Sequence, residues 1–207
     1  AVDEEGNILS GWFMRHAARP ARVEEPHSET PYMTGRAMAF IEQAGDTPWC
    51  LHLSYIKPHW PYIVPAPYHD MYDASDVIPV NRGESERSST HPLSQAYMRH
   101  RVSEVFCRQG VREAVIPAYM GLIKQIDDQL GVLFEFLRQR GLFDNTMIVF
   151  TSDHGDYLGD HWLGDKDHMH DAAVKVPLLI YDPSPEADRT RGQVCDAMVE
   201  AIDVLPT

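Results

Sequence analysis

Two short stretches gather the side chains that could do chemistry. One is Thr151-Ser152-Asp153-His154-Gly155-Asp156, with Lys166 closing the same loop; the other is Lys57-Pro58-His59-Trp60-Pro61-Tyr62. Asp153 and His154 offer oxygen and nitrogen to a divalent metal: Mn or Zn by the mixed donor set, Ca where carboxylates dominate. Two donors are too few to define a site, so a plainer reading stands beside this one, with Asp153 capping a turn and His154 an ordinary loop histidine. Lys166 could hold a substrate oxygen or stabilise a leaving group, or it could pair with Asp165 or Asp167 on the surface, where a pair is worth little. His59, held between prolines, could donate a proton or grip an oxyanion, or be a half-buried loop histidine. Lys57 is the weaker candidate for substrate contact, since lysine stems commonly lie along apolar surface.

The same loop carries Asp160-His161, Asp167-His168 and His170-Asp171. So many acid–imidazole pairs cannot all be ligands, and packing, caps and turn hydrogen bonds are the simpler account of them. Asp153-His154 is preferred only for its place at a strand end. Cys107 to Arg112 imitates a phosphatase Cys-x5-Arg loop, but it is one residue short and its context is helical. Of Asp127-Asp128, mid-helix, Asp128 is expected to be exposed and Asp127 hydrogen-bonded near the sheet.

Elements must position these loops. Apolar runs predict strands at 49–55, 146–151, 176–181 and 194–199, with a further element starting at 202–205. Helices are expected at 32–44, 95–107 and 111–140. In the last, Ile123, Ile126, Leu130, Leu133 and Leu137 form one face, the regular part starts at Pro117, and Gly141 is the stop. Residues 1–31 read as largely irregular, with Gly11-Trp12-Phe13 as a short strand or plug, 57–67 as a proline-stiffened loop, 68–72 as a helical turn, 73–92 as an exposed excursion, and 153–175 as a long functional loop. The order strand, helix, strand predicts one α/β domain over 1–207, a three-layer sandwich with a mostly parallel sheet flanked by helices. Ligands in such folds sit outside the carboxyl ends of strands, so the two loops should be neighbours in space.

The 207 residues suit a single domain, and the net charge of −13 argues against a nucleic-acid surface. An anionic substrate would bind through local cations or a metal against that field. The three cysteines, at 50, 107 and 195, form no disulfide framework or CxxC pair, which points to a reducing compartment, the cytoplasm. No run is long enough to span a bilayer, and the acidic start lacks a signal-peptide pattern.

Taken together, Thr151-Ser152-Asp153-His154-Gly155 after Asp144-Asn145-Thr146, Lys166 thirteen positions beyond Asp153, and Lys57-Pro58-His59-Trp60-Pro61-Tyr62 resemble the sulfatases of the alkaline phosphatase superfamily. Tyr157-Leu158-Gly159-Asp160-His161-Trp162 looks most like the phosphonate monoester hydrolase and arylsulfatase branch, and Val176 to Tyr181 and Ile202 to Thr207 match the family's later strand and helix start. The likeness runs from about residue 32 onward. It implies a metal-dependent hydrolase of sulfate or phosphonate esters, with Asp153 and His154 as metal ligands and His59 and Lys166 contacting the transferred group and leaving oxygen. The implied partner is a small anionic ester, with oligomerisation left open. The family nucleophile, a formylglycine made from Cys in Cys-x-Pro-x-Arg, has no counterpart here, nor have the family's early acidic ligands. The expectation is an internal piece of a longer enzyme, inactive alone. The alternatives are a phosphatase or phosphodiesterase relative with a hydroxyl nucleophile, and a catalytically dead binding domain.

Overall fold

The computed structural model describes Met14, residues 17–88 and residues 91–206; the expected strand or plug at 11–13 lies outside them. Six helices and two strands occur among the described residues: α1 Glu29–Ala44, α2 Glu84–Arg87, α3 Pro92–Met98, α4 Arg101–Phe106, α5 Val111–Gln139, β1 Ile148–Thr151, α6 Asp171–Val174 and β2 Leu178–Tyr181.

The long helix α5 is the spine. Its buried face runs through Val115, Ala118, Leu122, Ile126, Leu133 and Leu137, which is three-and-four spacing. Ile123 was expected on this face but points to solvent, about 100° round the helix from Leu122. Pro117 does not start the helix; it lies buried inside it. It removes only the bond to the carbonyl of Glu113, an exposed residue that water can serve. The end is as the sequence predicts. Gly141 takes φ 67, its N–H donates to the Arg138 carbonyl, and Leu142 N–H donates to the Leu137 carbonyl. That double closure needs the left-handed conformation glycine allows.

Three apolar clusters divide the work. Ala37 and Ile41 of α1 meet Leu133 and Leu137 of α5, with Trp49, Leu51, Leu53 and Ile148 alongside. Tyr62, Val64 and Tyr68, from the proline-rich loop, pack with Val102, Val105 and Phe106 of α4 and Val115, Ala118 and Leu122 of α5. Tyr157, Leu163 and Ala173 pack against Tyr97 and Met98 of α3. The helix expected over 95–107 is two helices, because its halves serve different clusters. His100 takes extended backbone between them.

The strands depart further from expectation. β1 and β2 pair antiparallel, Ile148 opposite Tyr181 and Thr151 opposite Leu178. A parallel pair is usually joined by a full crossover helix, and the connection here holds only the 3-10 turn Asp160–Trp162 and the single turn of α6. Residues 49–55 form no strand among the described residues. Composition alone made them strand-like, and a strand exists only with a partner. Residues 194–199 are likewise unpaired, with Val194 90% and Met198 99% exposed, and 201–203 form a single 3-10 turn. β1 and β2 carry apolar residues yet leave Phe150, Leu179 and Ile180 exposed, so the sheet shown here is not covered on both faces. No described helix is long and apolar enough to cross a membrane.

Candidate active site

The proline-rich loop is tied down at one end and presents His59 at its tip. Tyr62 and Val64 are buried, while His59 N–H donates to the Ile56 carbonyl at 3.1 Å and Ile63 N–H to the Pro61 carbonyl at 2.8 Å. Lys57 turns back on the loop, donating from Nζ to the Pro61 carbonyl at 3.3 Å, and burial lowers its pKa. It braces the loop. His59 Nδ1 donates to the Trp60 carbonyl at 2.7 Å. A carbonyl only accepts, so Nδ1 carries the proton and Nε2 is an open lone pair when the ring is neutral.

The second loop folds back on itself. Gly155 N–H donates to the Ala173 carbonyl at 2.7 Å and Tyr157 N–H to the Asp165 carbonyl at 3.0 Å. This returns Lys166 to the start of the loop. Gly155 permits close approach of the two arms of this loop, since a Cβ there would stand 2.0 Å from the Ala172 carbonyl oxygen. His154 Nδ1 donates to the Gly155 carbonyl at 2.7 Å, leaving Nε2 as its open nitrogen, 3.6 Å from Asp153 Oδ2. The Asp153 side chain is 86% exposed.

The two loops meet. Lys166 Nζ donates to His59 Nε2 at 3.0 Å, and the His59 and His154 rings lie 6.0 Å apart, edge to face. His59, Lys166, Asp153 and His154 therefore form one constellation, although 49–55, whose pairing in a parallel sheet was expected to bring the loops together, forms no strand among the described residues. Lys166 also stands 3.6 Å from Asp165 Oδ1, the pairing the plainer reading foresaw, although Asp165 is mostly withdrawn from solvent rather than on the open surface. Two clefts, about 490 Å³ beside Pro20 and Tyr68 and about 680 Å³ beside Tyr181 and Arg191, lie elsewhere. The constellation is reachable from solvent, with the Asp153 side chain 86% and the Lys166 side chain 35% exposed.

An exposed carboxylate, held at one oxygen by the His154 N–H at 3.0 Å, and an imidazole whose open nitrogen faces its other oxygen suit a divalent cation. No group of three or more His, Cys, Asp or Glu side chains placed to hold a metal occurs among the described residues. Asp153 and His154 by themselves do not make up a full ligand set.

Residue reading missed the groups that join the loops. Tyr62 Oη donates to Asp156 Oδ2 at 2.5 Å, and Leu158 N–H donates to Asp156 Oδ1 at 3.0 Å. Burial pushes the Asp156 carboxyl up to about 6, and burial with the Asp156 charge pushes the Tyr62 phenol up, so it stays a donor. Trp60 Nε1 donates to Asp165 Oδ2 at 3.1 Å. The available signal was the pair of aromatic rings with polar handles in a stiff loop, which need acceptors once buried.

The remaining acid–imidazole pairs are engaged as packing and turn residues. His161 N–H donates to the Asn81 carbonyl, Asp160 accepts from Asn81 N–H, and His161 Nδ1 donates to Glu86 at 2.9 Å. With Trp162 Nε1 on the Gly83 carbonyl and the Arg82 and Arg87 guanidiniums over the Trp162 ring, they fasten the 78–87 stretch to the site loop. The expectation for Asp127-Asp128 is reversed: Asp128 accepts from Tyr68 Oη and Lys124, and Asp127 is the exposed one. Burial pushes the Cys107 thiol up, and Arg112 is spent on the Leu158 carbonyl, so the phosphatase-like stretch holds no thiolate loop.

The His161 and His170 rings stack at 4.1 Å, His170 Nδ1 meets Tyr157 Oη at 2.9 Å, and His168 lies edge-on to His170. Burial, then the His161 and His168 charges, lower the His170 pKa below its ordinary 6.5, with Glu86 opposing. The unfolded chain then binds that proton more readily, so the stability neutral His170 contributes is present above pH 6.5 and is lost as the pH falls through its folded value. The urea midpoint should drop on going from pH 7.5 to about 5, and drop less in His170→Gln. Equal drops in the two proteins would contradict this.

Residues 12–207 match the Sulfatase family model. The chain is 35% identical over 201 residues to the multifunctional alkaline phosphatase superfamily protein PehA of Trinickia caryophylli, covering 91% of this chain and 39% of that one. It is 29% identical over 196 residues to an arylsulfatase of Clostridium perfringens, covering 92% and 39%. The phosphonate monoester hydrolase of Silicibacter pomeroyi superposes over 100% of this chain and 41% of its own, with a TM-score of 0.81 at 29% identity. The chain belongs to the sulfatase family, and its fold is the α/β fold of alkaline-phosphatase-like sulfatases and phosphonate monoester hydrolases. It spans about two fifths of the length of these relatives.

Proposed function

We propose that this chain supplies one wall of the active site of a metal-dependent hydrolase of sulfate or phosphonate esters. The observation that carries the reading is the meeting of the loops: Lys166 on His59 at 3.0 Å, with His154 beside them. Asp153 and His154 would hold a divalent metal, which when bound acts as a Lewis acid on the ester oxygen. Lys166 has two ammonium protons beyond the one given to His59, and these would hold a non-bridging oxygen of the transferred group. His59, its ring set by the Nδ1–H bond to Trp60, would give the leaving oxygen a proton from Nε2–H when the ring is protonated and Lys166 has turned from Nε2 to the transferred group. The net charge of −13 makes these local cations the means of drawing in an anion.

A covalent route needs a nucleophile, and no Cys-x-Pro-x-Arg stands in the 207 residues. The nucleophile, a formylglycine in this reading, and the other metal ligands come from sequence outside this chain. The purified chain is therefore expected to bind inorganic sulfate, with NMR shifts centred on His59, His154 and Lys166, and to hydrolyse neither aryl sulfates nor phenylphosphonate esters at a useful rate. Metal-dependent turnover by the chain alone would refute the division of labour. Sulfate-induced shifts that avoid these three residues would refute the site.

A further inference from the structure

Asp165 sits between the two loops, and the functional reading gives it no role. Its side chain is 16% exposed. Oδ2 accepts from the Trp60 indole, while Oδ1 is buried without a hydrogen bond and faces Lys166 Nζ at 3.6 Å. Its backbone is fixed as well. The carbonyl accepts from Tyr157, and φ is 64°, a region aspartate and asparagine enter more readily than most residues. A carboxylate oxygen withdrawn from water and left without a donor is unfavourable, so a facing cation is the partner it calls for.

We propose that Asp165 is a positioning residue of this site: its carboxylate, anchored to the histidine loop through Trp60, holds the Lys166 ammonium against His59 Nε2. The proposal rests on the reading above for what Lys166 and His59 do, while its geometry stands independently. Lys166 is a long side chain, 35% exposed, and one neutral imidazole acceptor restrains an ammonium weakly. A carboxylate on its other flank restricts it to the line between the two loops. Charge alone predicts the reverse behaviour, since a carboxylate beside an anion site repels the anion and its removal should tighten binding. Positioning predicts that its removal loosens binding.

The chain has four lysines, at 57, 124, 166 and 175, so the Lys166 ammonium can be followed alone in a ¹⁵N-lysine-labelled sample. Asp165→Asn keeps the volume, the tolerance of positive φ and an oxygen for Trp60, and removes the charge. The expected result is an Lys166 ammonium order parameter falling from the rigid range to below about 0.6, with a smaller fall in Trp60→Phe. Inorganic sulfate should bind about tenfold more weakly to Asp165→Asn, the scale of one lost charge-assisted contact. An unchanged ammonium signal at unchanged melting temperature overturns the proposal, and so does tighter sulfate binding. If Asp165→Asn does not fold, Trp60→Phe, which keeps the carboxylate and removes its anchor, decides on the same signal. If the unaltered chain binds no sulfate, the functional reading fails, and the ammonium signal still decides for or against Asp165.

Discussion

In an active enzyme carrying this segment, replacing Lys166 by Ala should lower turnover of an aryl sulfate or a phosphonate monoester by about 10²- to 10³-fold, the cost of removing one preorganised charge from a developing oxyanion. The loss should fall mainly on kcat, because a contact that strengthens as charge develops belongs to the transition state. The geometry gives the reason. The ammonium is held 3.0 Å from His59 and flanked by Asp165, so it is oriented before any substrate arrives. Lys166→Arg should rescue little, since a planar fork cannot occupy a point-charge position between an imidazole and a carboxylate. The double variant His59→Ala with Lys166→Ala should lose less than the product of the single losses, because the two groups act on one another. Steady-state kinetics on the unaltered enzyme, the three single variants and the double variant checks this. A change of less than about threefold in Lys166→Ala would return the lysine to the rank of a surface ion pair, whose ordinary worth is small.

The second large effect concerns metal. Asp153→Asn and His154→Ala should each weaken Mn²⁺ binding by the chain at least about tenfold, since even partners one bond further from a metal cost about 10- to 100-fold when removed. The structure prepares both groups for this. The Nδ1–H bond from His154 to Gly155 selects the tautomer, and Asp153 remains exposed with an oxygen 3.6 Å from the open nitrogen. Affinity in the unaltered chain should itself be weak, because two protein ligands leave most of the coordination sphere to water. Titration calorimetry or Mn²⁺ spectroscopy reads the difference directly. Equal affinity in all three proteins would leave Asp153 as a turn residue and His154 as a loop histidine.

The site was legible in the sequence to the extent that its residues are chemically distinctive and its loops are stiff. Prolines at 58 and 61 and glycine at 155 mark places where the backbone does something special, and His59, Asp153, His154 and Lys166 stand beside them. The spine helix was legible because three-and-four spacing and the Gly141 stop are local signals. Strand pairing was not. Trp49 to Tyr55 has the composition of a central strand, and composition says nothing about whether a partner is at hand. Asp156 was missed, and Asp165 was read only as a surface partner of Lys166, because a carboxylate in a turn-rich loop reads as a turn residue. Their roles appear only when Tyr62 and Trp60 arrive from residues about a hundred positions away in sequence. His161 was read as packing, and it is, but what it packs, together with Trp162, is the 78–87 stretch, which polar composition made look free-standing.

The decisive quantity is whether the wall formed by Asp153 and His154 and the wall formed by His59 and Lys166 face the same small volume in solution. Paramagnetic Mn²⁺ reports it, since a metal ion held by the first pair relaxes nearby nuclei steeply with distance. The account predicts that substoichiometric Mn²⁺ broadens the His59 ring and Lys166 ammonium signals together with those of His154, and that Asp153→Asn abolishes all three effects at once. Broadening confined to His154, with His59 and Lys166 left sharp, would contradict it.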